Sequence, residues 1–304
     1  MKLKIKIVSA LALFALLSGL TSVAFADLRA VACEPEWGAL LQELAGDKVK
    51  VYTATTAQQD PHHIEPRPSL IAQMRRADLL VCTGAELEIG WLPVLLRQAS
   101  DKVQPGQLGY FEAANFVTLG EIPERLDRAE GDVHPAGNPH IQTDPRNIAR
   151  VAQALAQRLE SLDRSHAAFY KGRYDDFSKR WQAAMVRWQA QAAPLKGIAI
   201  VAHHKSWFYL EDWLGLQEVG VLEPKPGVPP TTGHLVELLD SLKQTPAKMI
   251  LRSPYEDSRA DEWLAAHAHI RAVMLPFTVG GTPQANNLFE LFDATINALV
   301  TNAK

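Results

Sequence analysis

Tyr170-Lys171-Gly172-Arg173-Tyr174-Asp175-Asp176-Phe177-Ser178-Lys179-Arg180-Trp181-Gln182-Ala183-Ala184-Met185-Val186-Arg187-Trp188 is the stretch that decides the architecture. Its apolar positions Tyr170, Tyr174, Phe177, Trp181, Ala184 and Trp188 step by three or four, which places them on one face of a helix. The pattern runs over 163–193, and at about 1.5 Å per residue a helix of that length spans about 45 Å. One small domain does not need so long a helix. It is therefore expected to run between two domains.

On either side the chain alternates strand and helix. Before the helix, strand patterns at 28–33, 49–55 and 79–82 alternate with helical patterns at 37–44, 68–76 and 86–99, and a further helix follows over 144–162. After it, strands at 197–202, 218–222, 248–251 and 272–275 alternate with helices at 206–214, 232–242, 256–268 and 287–299. Such alternation builds parallel sheets flanked by helices. The expected fold is α/β: two similar lobes with parallel sheets, joined by one long rigid helix, with a site in the cleft between them. The division is 27–162 for the first lobe, 163–195 for the connecting helix and 196–304 for the second lobe. Ligands of open α/β sheets bind beyond the carboxyl ends of the strands, and here those ends face the cleft.

Composition sets the class. The chain has 304 residues, 47% apolar and 21% charged, as in ordinary globular proteins. Lys2, Lys4 and Lys6 contribute +3 to a formal net charge of −3, so the remainder stands at −6. That balance argues against a nucleic-acid surface. Those lysines, an apolar run at 7–17 and Ala24-Phe25-Ala26 form an export signal with a small-x-small cleavage site. Residues 1–26 are expected to be removed before Asp27. No cysteine sits there to carry lipid, so a periplasmic protein without a lipid anchor is expected.

Cys33 and Cys82, the only cysteines, each end an apolar run. In a βαβ arrangement those ends lie side by side, and an oxidising compartment favours a Cys33–Cys82 disulfide. A thiolate pair on a metal is the alternative.

The chemistry gathers in proline-flanked loops. Asp60-Pro61-His62-His63-Ile64-Glu65-Pro66-Arg67-Pro68-Ser69 follows a strand, and its prolines make it a stiff loop. Asn138-Pro139-His140 precedes a helix, and His203-His204 ends the first strand of the second lobe. Each loop thus offers an imidazole at the cleft, and three imidazoles with an open fourth position suit tetrahedral zinc. His166, His267 and His269 read as surface residues. His134 and His234 are expected in supporting or loop roles rather than as ligands.

With these motifs the sequence resembles the periplasmic solute-binding proteins of zinc and manganese ABC importers, the cluster A-I metal receptors. Asp60-Pro61-His62 with Pro68-Ser69 resembles the family's first ligand loop. Asn138-Pro139-His140 with Asp144-Pro145-Arg146-Asn147 resembles its second, and His204-Lys205-Ser206-Trp207-Phe208-Tyr209 its third. The resemblance covers the whole mature chain and implies His62, His140 and His204 as ligands, with His63 and His203 as neighbours. Many relatives add a carboxylate after the last strand of the second lobe, whereas 273–281 here holds no acid. The fourth position is left to water, with Glu256 and Asp257 as alternatives. The His/Asp-rich loop of many zinc receptors is also missing, with only 120–137 in its place.

Three neutral imidazoles suit Zn²⁺ better than Mn²⁺, which favours oxygen. The resemblance implies a monomeric receptor that hands its ion to a membrane permease and is not an enzyme. The competing function is an exported zinc-dependent hydrolase with a three-histidine open site and Glu65 as general base. Against it, the chain has no H-E-x-x-H helix and no G-x-S-x-G elbow.

Overall fold

The computed structural model describes residues 28–123, 131 and 133–304. The export signal expected at 1–26 lies outside the described residues. Strand β1 (Leu28–Ala32) leads to helix α1 (Pro35–Ala45), then β2 (Val49–Thr53), α2 (Pro68–Met74), β3 (Leu79–Cys82), α3 (Leu92–Leu96) and β4 (Tyr110–Glu112). Helix α4 (Pro145–Leu162) and the long α5 (Ala167–Ala192) follow. The second half runs β5 (Ala199–Ala202), α6 (Phe208–Leu214), β6 (Gln217–Val221), α7 (Thr232–Leu242), β7 (Met249–Arg252), α8 (Ser258–Ala268), β8 (Arg271–Met274) and α9 (Leu288–Asn302). Among the described residues no helix is long and apolar enough to cross a membrane.

The two sheets repeat one plan. The first is ordered β2-β1-β3-β4 and the second β6-β5-β7-β8, and every pairing is parallel. The central strands are mostly apolar, broken only by Arg29 near the start of β1 and Arg252 at the end of β7, because helices cover both their faces. In the first lobe Ala30, Ala32 and Val81 look into one core, and Val31, Leu80 and Cys82 into another. Because all strands of a sheet point the same way, the loops after β2 and β5 emerge at one edge of each sheet, and both edges face the cleft.

Helix α5 is shared between the lobes. It packs on α1 and α4 of the first lobe and on α9 of the second. Trp181 is buried against Phe177, Trp188, Phe289 and Phe292, with ring centroids 4.9–5.5 Å away, and its indole N–H donates to the Pro145 carbonyl at 2.9 Å. Trp188 donates to Asp293 of α9 at 2.6 Å. The largest apolar cluster therefore runs unbroken from Trp37 and Leu41 in the first lobe through α5 to Leu251 and Leu299 in the second.

The helix expected over 86–99 is not continuous. Ala85 and Glu86 adopt φ of 51° and 65°, and turns run to Trp91 before the short α3. Glu88 turns its carboxylate back onto the main-chain N–H groups of Thr83 (2.7 Å) and Gly84 (3.1 Å). Gly90 approaches the loop after β2 so closely that a Cβ there would lie 2.9 Å from the His62 carbonyl oxygen. Strand β4, which pairs Leu80 with Tyr110, had no counterpart in the sequence pattern. Cys33 and Cys82 form a disulfide at the ends of β1 and β3, with Cα atoms 4.7 Å apart.

Candidate metal centre

The loop after β2 is held before it presents any ligand. Trp91 donates its indole N–H to the Pro61 carbonyl at 2.8 Å, and Arg67 donates to the Ala54 carbonyl at 3.1 Å. Asp60 Oδ1 accepts from the His62 main-chain N–H at 3.0 Å and lies 2.7 Å from His62 Nδ1. Burial would raise the Asp60 carboxyl, but the hydrogen bond and charge of His62 bring it down to about 2. A carboxylate only accepts, so His62 Nδ1 carries the hydrogen and Nε2 is left with its lone pair in the neutral ring.

The second loop is fixed on both sides. Asn138 accepts from the His140 N–H at 2.9 Å and donates to the Lys205 carbonyl at 2.8 Å, tying this loop to the one that carries His204. Thr143 donates to the His140 carbonyl at 2.9 Å, and Asp144 caps α4 by accepting from the Arg146 N–H at 2.7 Å. The His140 ring is 1% exposed, and neither of its nitrogens has a hydrogen-bond partner among the described residues. Such orphaned polar atoms are costly in a protein interior and call for an explanation. Burial first, then the rings of His62, His204 and His134, hold the His140 pKa well below 6.5, so this ring is neutral and free to ligate.

In the third loop His204 Nδ1 lies 2.7 Å from Glu223 Oε2, which again leaves Nε2 as the free nitrogen. Burial alone would depress His204, yet the hydrogen bond and charge of Glu223 reverse the sign and raise it above 6.5. Ligand atoms of His62, His140 and His204 all lie within 4.8 Å of one another, and each residue is buried. The three ring centroids stand 5.4–5.6 Å apart. Two of the three rings are thus pre-turned by a carboxylate, the usual arrangement around metal-ligating histidine.

The remaining sequence candidates separate. His203 is held 2.9 Å from buried Asp261. His63 and Glu65 are exposed. His234 bonds the Val221 carbonyl at 2.9 Å. Asp257 caps α8, pairs with Arg259 and is exposed. Glu256 is half-buried, with its pKa raised to about 7 by desolvation, and its carboxylate accepts from Ser253 N–H at 2.5 Å. In 273–281, Phe277 packs edge-on to the His140 ring with centroids 5.6 Å apart, and the Thr278 hydroxyl donates to Glu36 at 2.5 Å. Two residues outside the expected set adjoin the trio. Glu223, the second residue after β6, orients His204; His134 places Nε2 3.2 Å from His62 Nε2. For His134 the only available signal was its place six residues before His140.

Paired parallel lobes, a shared backbone helix and a buried histidine cluster at the seam define an extracytoplasmic solute-binding receptor of the metal type. The chain belongs to the family described as zinc-uptake complex component A, periplasmic, whose model matches residues 31–302. A manganese ABC transporter substrate-binding lipoprotein of Streptococcus pneumoniae, PsaA, is 25% identical over 289 residues, covering 90% of each chain. A crystal structure of ZnuA superposes with a TM-score of 0.73 at 20% identity, covering 92% of this chain and all of that one. The solute-binding protein FpvC of Pseudomonas aeruginosa, solved with Ni²⁺, gives 0.72 at 21% identity, covering 91% and 97%. Members of the family are receptors of metal ABC importers, not enzymes, and they act with a membrane permease.

Proposed function

We propose that this receptor captures Zn²⁺ through His62, His140 and His204 and delivers it to its permease. One observation carries the reading: a fully buried, neutral His140, both nitrogens unpartnered among the described residues, sits between two histidines whose Nδ1 atoms are already committed to carboxylates. Zinc is favoured over manganese because the donors are imidazoles. The stretch 273–281 offers Phe277 where an oxygen ligand would be needed, and the Thr278 hydroxyl is taken by Glu36. The lobes divide as 27–162 and 196–304 around the helix at 163–195. The protein is released without a lipid anchor, because Ala24-Phe25-Ala26 leads into Asp27 with no cysteine at the cleavage site.

The test is competitive. Protein dialysed against equal Zn²⁺ and Mn²⁺ should retain about one zinc per chain, and His140→Ala should abolish retention. Retention of manganese instead would overturn the choice of metal. Unchanged zinc in His140→Ala would overturn the site.

A further inference from the structure

The contact between His62 and His134 poses a problem of hydrogens. His62 Nδ1 gives its hydrogen to Asp60, so His62 Nε2 points a lone pair at His134 Nε2, 3.2 Å away. His134 also hydrogen-bonds the main chain at Ala85, where the ring donates to a carbonyl that can only accept. If the ring is neutral with its hydrogen on that side, two lone pairs face each other. A cation between them removes the conflict. Ligands of a tetrahedral ion with bonds of about 2.0–2.1 Å lie roughly 3.3–3.4 Å apart, close to the separation found here.

The surroundings agree. His134, His140 and His204 line one cavity of about 320 Å³. The His134 ring centroid is 5.2 Å from that of His62 and 6.4 Å from that of His140. Its side chain therefore needs to swing toward His140 as the ion enters. The backbone below it is pinned by Gly137 N–H to the His134 carbonyl (3.1 Å) and Asn138 N–H to the Gly120 carbonyl (2.8 Å).

We propose that His134 Nε2 is the fourth ligand, closing an all-imidazole tetrahedron with His62, His140 and His204. The inference rests on the three-histidine reading above and deepens it. Four neutral nitrogens select borderline dications such as Zn²⁺, Co²⁺ and Ni²⁺ and discriminate against Mn²⁺.

X-ray absorption at the zinc edge on the full chain loaded with one equivalent of Zn²⁺ counts imidazoles directly. Four are expected in the unaltered protein and three plus one light scatterer in His134→Ala and His134→Gln. In the same variants, zinc affinity by chelator competition should fall at least about tenfold, the scale seen when a metal site loses support. Manganese affinity should move less, so the Zn²⁺/Mn²⁺ preference narrows. Metal-free melting of both variants verifies that each is folded. Three imidazoles and an oxygen in the unaltered protein, or a count and affinity unmoved by either variant, would overturn the proposal. His140→Ala separates the two claims: zinc bound as before in that variant sinks the trio, whereas silence at His134 alone sinks only the fourth ligand.

Discussion

At the scale of single residues, the carboxylates behind the histidines set both affinity and its pH dependence. Asp60 and Glu223 fix the ring orientation of His62 and His204, so Asp60→Ala and Glu223→Ala should each weaken metal binding ~10–100-fold, read by chelator competition. An affinity unchanged in both would mean that the rings are held by packing alone. The sign for pH follows from His204. Glu223 raises its pKa above 6.5, and the ring must lose that proton to ligate, so affinity should decline with acidification beginning above pH 6.5. His140, held well below 6.5, needs no such loss. Glu223→Gln should move the onset of the decline to lower pH; an onset that stays put would locate the proton elsewhere. Of this site the sequence exposed what stiff loops announce: His62, His140 and His204 beside prolines or at a strand end. Glu223 stayed hidden because its partner lies 19 residues away and only the folded sheet brings them together; His134 was expected in a supporting or loop role, and its contact with His62 spans 72 residues.

Among the elements, the start of α1 and the turn after β3 share a buried group of carboxylates. Thr83 donates its hydroxyl to Glu34 at 3.1 Å and its N–H to Glu88 at 2.7 Å, and receives the Trp37 indole N–H at 2.8 Å. Burial raises Glu34 well above 4.5 and Glu88 to about 7. The native state thus holds protons that the unfolded chain releases near 4.5. The stability this contributes is present below 4.5 and is lost as pH rises toward about 7. Glu34→Gln should therefore shrink the difference between urea midpoints of the metal-free protein at pH 5.5 and pH 8; an undiminished difference would refute a proton held at Glu34. The neighbouring Cys33–Cys82 disulfide closes a separation of 49 residues, and reducing it should cost roughly 4 kcal/mol in the same assay. Periodicity predicted the strands and long helices well because each buries a whole face. It failed over 86–99, where Glu88 bonds main-chain N–H groups through its side chain and apolar spacing carries no sign of it.

For the whole molecule, the decisive element is the one legible first in the sequence. Helix α5 was expected to run between two domains, and it lies against α1 and α4 of one lobe and α9 of the other. A rigid rod fastened to both lobes opposes wide opening. Small-angle scattering should therefore give nearly the same radius of gyration with and without zinc, and a marked fall on loading would show a hinge. One unbroken core also predicts a single cooperative unfolding transition by calorimetry; two separable transitions would mean that the lobes are energetically independent.

The aromatic seam on α5 has a further consequence for how the protein is made. Trp181 and Trp188 are covered by Phe289 and Phe292, which arrive more than 90 residues later in synthesis. Until α9 emerges, a nascent chain carries two indoles that lack their Phe289 and Phe292 cover. The second lobe's last helix is thus the clasp of the first lobe's scaffold, and a growing polypeptide is most exposed to aggregation and most dependent on chaperones just before its final turns appear.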